Sequence, residues 1–139
     1  MNHRSRTLLA VAACIFGWGC GSSAATEPVV TSVAGTWLLT TVNGKALPYV
    51  YAPSDPKLEL ISKQYVISST GTFTTSFTVR GTELDGTMNT TTASDAGTYA
   101  LTNNTATFVY RSDGSSVTAR VTPTTMTIEG SATQLFTKQ

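Results

Sequence analysis

The sequence predicts an all-β domain whose antiparallel strands follow one another as an up-and-down meander and close into a barrel of about eight strands. Threonine is the commonest residue, and its β-branched side chain suits a pleated sheet. Residues 72–80 (TFTTSFTVR) alternate with period two, which places Phe73, Phe77 and Val79 on one face and mostly hydroxyl side chains on the other. Similar short segments recur along the chain between turn residues.

These segments define the predicted strands and turns. The alternation predicts strands at residues 35–42, 72–80, 97–102, 105–111, 117–122, 126–130 and 133–139. Pairs such as Asn43-Gly44 and Asp85-Gly86 mark hairpin turns. In residues 58–69 (LELISKQYVISS) the apolar positions change phase near residues 62–64, so we expect a turn or bulge to divide this segment into two short strands.

The short connections determine how the strands pair. Parallel neighbours need crossovers of about a dozen residues or more, and the connections after residue 64 are shorter than that. An open sheet of this size would leave two unpaired edges, which closure into a barrel removes. A meander sandwich is the alternative architecture.

One connection differs from the others. Residues 43–57 (NGKALPYVYAPSDPK) contain three prolines and bulky side chains without a clear period. We expect a long loop here that caps the open end of the barrel or presents an apolar contact surface.

The start of the chain is typical of an export signal. Arg4 and Arg6 precede an apolar, uncharged run at residues 7–19 (TLLAVAACIFGWG). This run is shorter than the roughly 20 residues of a membrane-spanning helix, and small residues follow it.

The cysteine after this run makes the prediction more specific. Residues 17–28 (GWGCGSSAATEP) resemble the lipobox of bacterial lipoproteins, in which a cysteine after small residues is acylated and begins the mature protein. The resemblance implies lipidation of Cys20. Lipidation of Cys14 and secretion without an anchor are the alternatives.

This resemblance also implies an organisation and a location. The expected parts are a signal peptide at 1–19, a flexible tether at 20–33 and the barrel domain at 34–139. The protein is then exported to the bacterial cell envelope and held on a membrane only by its lipid. The residue after Cys20 is Gly21 rather than aspartate, which favours the outer membrane as the location of the anchored protein.

Charge and residue types exclude several functions. Without Arg4 and Arg6 the chain has seven basic and eight acidic residues, so no basic surface favours nucleic acid. The only histidine, His3, and Cys14 lie in the signal, so the mature part has no histidine and no cysteine other than Cys20, which is expected to be acylated, and its acidic residues are scattered. The expectation is a protein that is not an enzyme and has no cofactor or metal site.

The opening of the domain resembles a known family. In residues 33–48 (VAGTWLLTTVNGKALP), Gly35-Thr36-Trp37 and the later Asn43-Gly44 with Leu47-Pro48 are similar to the start of bacterial lipocalin-like domains. Residues 71–79 and 94–108 extend the likeness. It implies a lipocalin-like barrel, in some members with a cup for a small apolar molecule, and a basic residue from the last strand beside Trp37. Lys138 is the candidate.

Two functions remain open from the sequence. In one, the barrel binds a small apolar ligand, and the candidate lining residues are Trp37, Leu39, Tyr49, Tyr51, Phe73, Phe77, Tyr99, Phe108 and Tyr110. In the other, the same side chains fill the barrel, since eight strands enclose an interior that side chains can occupy. The protein would then be a structural or protein-interaction domain.

Overall fold

The structure of the protein is a computed structural model and describes residues 26–139. The predicted signal peptide and both cysteines lie outside this range. The ten strands are β1 (Gly35–Val42), β2 (Lys45–Ala46), β3 (Tyr49–Ala52), β4 (Lys57–Ile67), β5 (Thr72–Thr82), β6 (Met88–Thr102), β7 (Thr105–Tyr110), β8 (Ser116–Val121), β9 (Thr125–Ile128) and β10 (Gln134–Lys138). Within residues 26–139, no helix is long and apolar enough to cross a membrane.

The strands form one closed antiparallel barrel. From β4 to β10 each strand pairs with the next, β10 pairs with β1, and β1 pairs with β4 to complete the ring of eight. Leu39 lies opposite Phe136 in the contact between first and last strands. The predicted barrel of about eight strands is confirmed, and the sandwich alternative is wrong.

The segment predicted as a long loop contains two short strands. Asn43 and Gly44 adopt positive φ angles of 50° and 75°, which suit a two-residue hairpin turn, and β2 therefore folds back onto β1. β3 then pairs with the beginning of β4. The prediction of an irregular connection over residues 43–57 is corrected, because backbone pairing orders part of it despite its prolines.

The phase change in residues 58–69 is a bulge within one strand. The register of β4 against β5 shifts between Leu60 and Ser62, yet pairing continues from Lys57 to Ile67. The expected bulge is confirmed, and the expected division into two strands is wrong. β6 is also longer than predicted, because residues 88–96 have no apolar face that would reveal a strand by period.

One end of the barrel closes around Trp37. Its side chain is fully buried, and its indole Nε1 donates a 2.8 Å hydrogen bond to the carbonyl of Val33. Lys138 from β10 places its Nζ 5.3 Å from the centre of the indole ring. Gly35 has a φ of +134°, and a Cβ there would lie 2.8 Å from Cε of Lys138. Glycine thus allows the lysine to cross β1 and cover the tryptophan.

The chain before β1 also packs against this end. Val30 and Val33 are buried in the core. The backbone N–H of Val30 donates to Oδ1 of Asn104 at 2.9 Å, and Nδ2 of Asn104 donates to the carbonyl of Pro28. The packed domain therefore starts before the predicted boundary at residue 34, because two valines of the predicted tether complete the barrel floor.

Truncation of Trp37 tests this closed end. Trp37→Ala is expected to lower the free energy of unfolding by about 3–5 kcal/mol, because it removes a fully buried aromatic side chain. Urea denaturation followed by circular dichroism measures the loss. Leu38→Ala, which truncates the exposed neighbour on the outer face, is the control and should change stability little. Equal midpoints for the two variants would contradict the assignment.

Candidate functional site

The interior of the barrel is filled by aromatic side chains at its centre. Tyr65, Phe73, Phe108 and Phe136 are all buried. The ring centre of Tyr65 lies 5.3 Å from those of Phe108 and Phe136, and Phe73 meets Phe108 edge-to-face at 5.1 Å. Because these rings fill the centre of the barrel, a ligand could lie only toward the end opposite Trp37.

A pair of tyrosines forms the polar surface of this aromatic layer. The hydroxyl groups of Tyr65 and Tyr110 are hydrogen-bonded to each other. Burial raises the pKa of Tyr65 strongly, and burial also raises the pKa of the half-buried Tyr110. Both phenols therefore stay protonated at neutral pH, and they provide a neutral hydrogen-bonding layer inside the barrel.

Between this layer and the end of the barrel opposite Trp37, the backbone pairing of β1 with β4 ends. The four register pairs of β1 with β4 run from Gly35 opposite Ile67 to Leu38 opposite Gln64, and there they stop. Beyond that point β1 pairs with β2, and β4 pairs with β3. The two strands that close the ring at the Trp37 end thus have different partners at the other end, which we call the mouth.

Lys63 is the first residue of β4 beyond the last pair with β1. Its Nζ donates a 3.0 Å hydrogen bond to Oε1 of Gln134, at the start of β10, and lies 5.6 Å from the ring centre of Tyr65. Burial lowers the pKa of Lys63. This hydrogen bond links β4 to β10 at the position where the backbone ladder between β4 and β1 has ended.

Apolar side chains lie on the same face as Lys63. Phe77 is its register partner on β5, and alternation with Phe73 directs it inward, yet 37% of Phe77 is exposed. Tyr49 lies opposite Leu60, and both pack against the core. We call Tyr49, Leu60, Lys63, Phe77 and Gln134 the mouth cluster. It combines an apolar surface with one ammonium group and one amide.

Asn43 fixes the segment that carries Tyr49. Its Nδ2 donates to the hydroxyl of Tyr49 at 3.0 Å, and its Oδ1 accepts from the backbone N–H of Thr133 at 2.9 Å. The segment is therefore held against the turn that precedes β10. Tyr51, two residues farther on, is 50% exposed.

An ion pair joins β4 and β5 on the outer face of the barrel. Glu59 accepts hydrogen bonds from Nε and Nη2 of Arg80 at 3.0 and 2.8 Å, and its other oxygen lies 2.9 Å from Nζ of Lys57. The hydrogen bond from Lys57, followed by that from Arg80, lowers the pKa of Glu59. Glu59 is only 6% exposed, and its two cationic partners compensate its charge there.

The candidate lining residues fall into three groups. Trp37, Leu39, Phe73 and Phe108 are buried in the core; Tyr49, Tyr99 and Tyr110 are partly buried; Tyr51 and Phe77 are exposed. Tyr99 lies toward the Trp37 end, where its hydroxyl donates to the carbonyl of Ser68. Of the candidates, Tyr49 and Phe77 belong to the mouth cluster, and Tyr110 lies beneath it.

Sequence reasoning did not select Leu60, Lys63 or Gln134. The available signal was the phase change in β4, since Lys63 shares the face of Tyr65 by alternation and the bulge after Leu60 brings Leu60 onto that face. For Gln134 no local signal existed, because its role depends on a contact between residues 71 positions apart.

Comparison with known proteins identifies the family. A family model described as a lipocalin-like domain matches residues 33–128, which is more than half of the chain. The protein belongs to the lipocalin-like family. The family resemblance stated from residues 33–48 is thereby confirmed, and so is Lys138 as the basic residue beside the first-strand tryptophan.

Solved structures similar to this lipocalin-like domain include two from Bacteroides. A lipocalin-like protein from Bacteroides uniformis ATCC 8492 is 18% identical, with 76% of this chain and 97% of that chain covered and a TM-score of 0.44. An uncharacterized protein from Bacteroides eggerthii DSM 20697 is 15% identical, with 78% and 100% covered and the same TM-score of 0.44. No curated protein matched the chain.

The tyrosine pair yields a prediction about stability. Tyr65→Phe leaves the half-buried hydroxyl of Tyr110 without its partner and is expected to cost about 1–3 kcal/mol. Tyr110→Phe should act similarly. The double variant should cost less than the sum, because neither hydroxyl is then left without its partner. Urea denaturation of all three measures the coupling, with Tyr51→Phe on the exposed loop as control. Additive losses would contradict a coupled pair.

Proposed function

We propose that this lipocalin-like protein binds a small apolar ligand at the mouth of its barrel while a lipid on Cys20 holds it in the bacterial cell envelope. The observation that carries the ligand proposal is the partly exposed, inward-facing Phe77 at the place where β1 and β4 separate. An apolar side chain that faces the inside of a barrel and still contacts water has unused apolar surface, which a ligand can cover.

The arrangement of the interior supports a shallow site. The aromatic layer fills the barrel centre and gives the site a rigid floor, and the segment held by Asn43 forms one wall. A ligand would lie between this wall and the inward face of β5. The proposal assigns the protein no catalytic role.

A second candidate function is an interaction with another protein. Three large apolar side chains are exposed on the connections and strands near the mouth: Leu84 at 87%, Met88 at 65% and Tyr51 at 50%. Exposed apolar residues in one region favour a contact surface. In this alternative the mouth cluster only completes a filled barrel.

Ligand binding is tested by titration with a fluorescent fatty acid. The wild type is expected to bind it saturably, and Phe77→Ala should weaken binding about tenfold, because truncation of an apolar contact of this size removes on the order of 1–2 kcal/mol. Leu38→Ala is the matched control, since Leu38 is equally exposed at 37% but faces outward from β1. Absence of saturable binding to the wild type would overturn the proposal and favour the interaction domain.

The anchor is tested on the exported protein. Mass spectrometry of the mature N-terminus is expected to find an acylated Cys20, with the protein in the membrane fraction of a bacterial host. Cys20→Ser should abolish acylation and release the protein from the membrane. Cys14→Ser should leave the acylation of Cys20 and the membrane attachment unchanged. An unmodified N-terminus at Ser22 or beyond in the wild type would overturn the anchor.

A further inference from the structure

The first half of β6 has a paired strand on one side only. Residues 97–102 pair with β7, whereas residues 88–96 pair with β5 alone, because β7 ends at Tyr110 opposite Gly97. Nearly all side chains of residues 88–94 are exposed. These seven residues therefore form a free strand edge, which we call the β6 edge.

The backbone of the β6 edge directs hydrogen-bonding groups toward its free side. The N–H of Tyr99 points toward β5 and donates to the carbonyl of Gly71 at 2.9 Å, whereas the carbonyl of Ala96 points the other way and accepts from the N–H of Arg111 at 2.8 Å. Backbone directions alternate along an antiparallel strand, and β6 pairs with β5 without a register shift. Every second residue before Ala96 therefore directs its N–H and carbonyl groups to the free side, where no strand of residues 26–139 pairs with them. These residues are Met88, Thr90, Thr92 and Ser94.

The β6 edge lacks the features with which proteins usually block a strand edge. Charged side chains, prolines and bulges are typical of protected edges, and residues 88–94 (MNTTTAS) contain none of them. The short strand β3 shows the contrast: it has four residues, shifts register against β4 and lies between Pro48 and Pro53. The β6 edge is therefore open to pairing with a further strand.

The charges beside the β6 edge are mostly negative. Glu83 and Asp85 lie in the turn before it, and Asp95 and Asp113 lie near its other end, where Arg111 is the base. Among residues 26–139, no ion pair includes any of these five side chains. A partner strand with basic residues would therefore be attracted at both ends of the edge. A second copy of this chain would bring acids toward acids.

We propose that the β6 edge binds an extended, basic segment of another protein, which joins the sheet as an antiparallel strand. Alternate residues of this segment exchange backbone hydrogen bonds with Thr90, Thr92 and Ser94, in the manner of other sheets that take up a peptide strand. Arg80, the register neighbour of Thr90 on β5, is already paired with Glu59 and does not oppose a basic segment. The surface includes no residue of the mouth cluster, so the inference is independent of ligand binding there.

Hydrogen exchange of backbone amides, measured by NMR, tests whether the edge is free. The amides of Thr90 and Thr92 point away from β5 and should exchange faster than the amide of Thr91, which points toward β5. Equal protection of these three amides would overturn the proposal.

The partner is tested with two fluorescein-labelled peptides that share the core TVTVTVT and carry either lysine or glutamate at both ends. Fluorescence polarisation is expected to show saturable binding of the lysine peptide, at least about tenfold tighter than that of the glutamate peptide. Thr90→Pro removes an outward N–H while it leaves the hydrogen bonds to β5 in place, and it should weaken binding at least about tenfold. Thr90→Val keeps the N–H and is the matched control, which should bind as the wild type does.

Each other outcome contradicts the proposal. It is overturned if the wild type binds neither peptide, if both peptides bind equally, or if Thr90→Pro binds as tightly as Thr90→Val. Dimerisation of the wild type that Thr90→Pro abolishes would assign the edge to a second copy and would overturn it too. Thr92→Lys is the second variant, in case Thr90→Pro does not fold. Its added charge repels the lysine peptide and should remove the preference for it.

Discussion

The pairing of β1 with β4 determines both the closure of this barrel and the position of its mouth. Four register pairs, from Gly35 opposite Ile67 to Leu38 opposite Gln64, complete the ring at one end. If the ladder continued along both strands, the barrel would be closed along its whole length. It stops because β1 turns at Asn43 to pair with β2, while the bulge after Leu60 directs the first half of β4 toward β3. The mouth is the consequence of this exchange of partners.

The two ends are stabilised by different physical means. At the closed end, Trp37 shares the core with Val30 and Val33 of the segment before β1 and is covered by Lys138, so apolar burial dominates. At the mouth, single hydrogen bonds connect separate elements: Asn43 with Tyr49 and Thr133, and Lys63 with Gln134. Local opening is therefore expected first at the mouth, because few buried apolar contacts oppose it there.

The tyrosine pair marks the boundary between these two regions. Below it, the rings of Phe108, Phe136 and Phe73 pack around Tyr65 at centre distances of 5.3, 5.3 and 5.7 Å. Above it, the inward side chains include Lys63 and Gln134, which bear an ammonium and an amide group. Each hydroxyl of the pair satisfies the other, so the aromatic core can end in a polar surface without an unsatisfied buried group. The polarity of the interior thus changes along the barrel axis.

The sequence alone predicted the antiparallel barrel, its family and the position of Lys138 from the last strand beside Trp37. Period-two alternation and short turns leave few other ways to bury one face of each strand, and Gly35-Thr36-Trp37 identifies the first strand. The sequence did not predict the length of β6 or the order in residues 43–57, because residues 88–96 lack an apolar face and because β3 is defined by its pairing with β4. Only the tertiary structure decided which candidate residues reach the mouth. A bulge shifts the face of every residue after it, and the partnership of Lys63 with Gln134 depends on two strands brought together by closure of the ring.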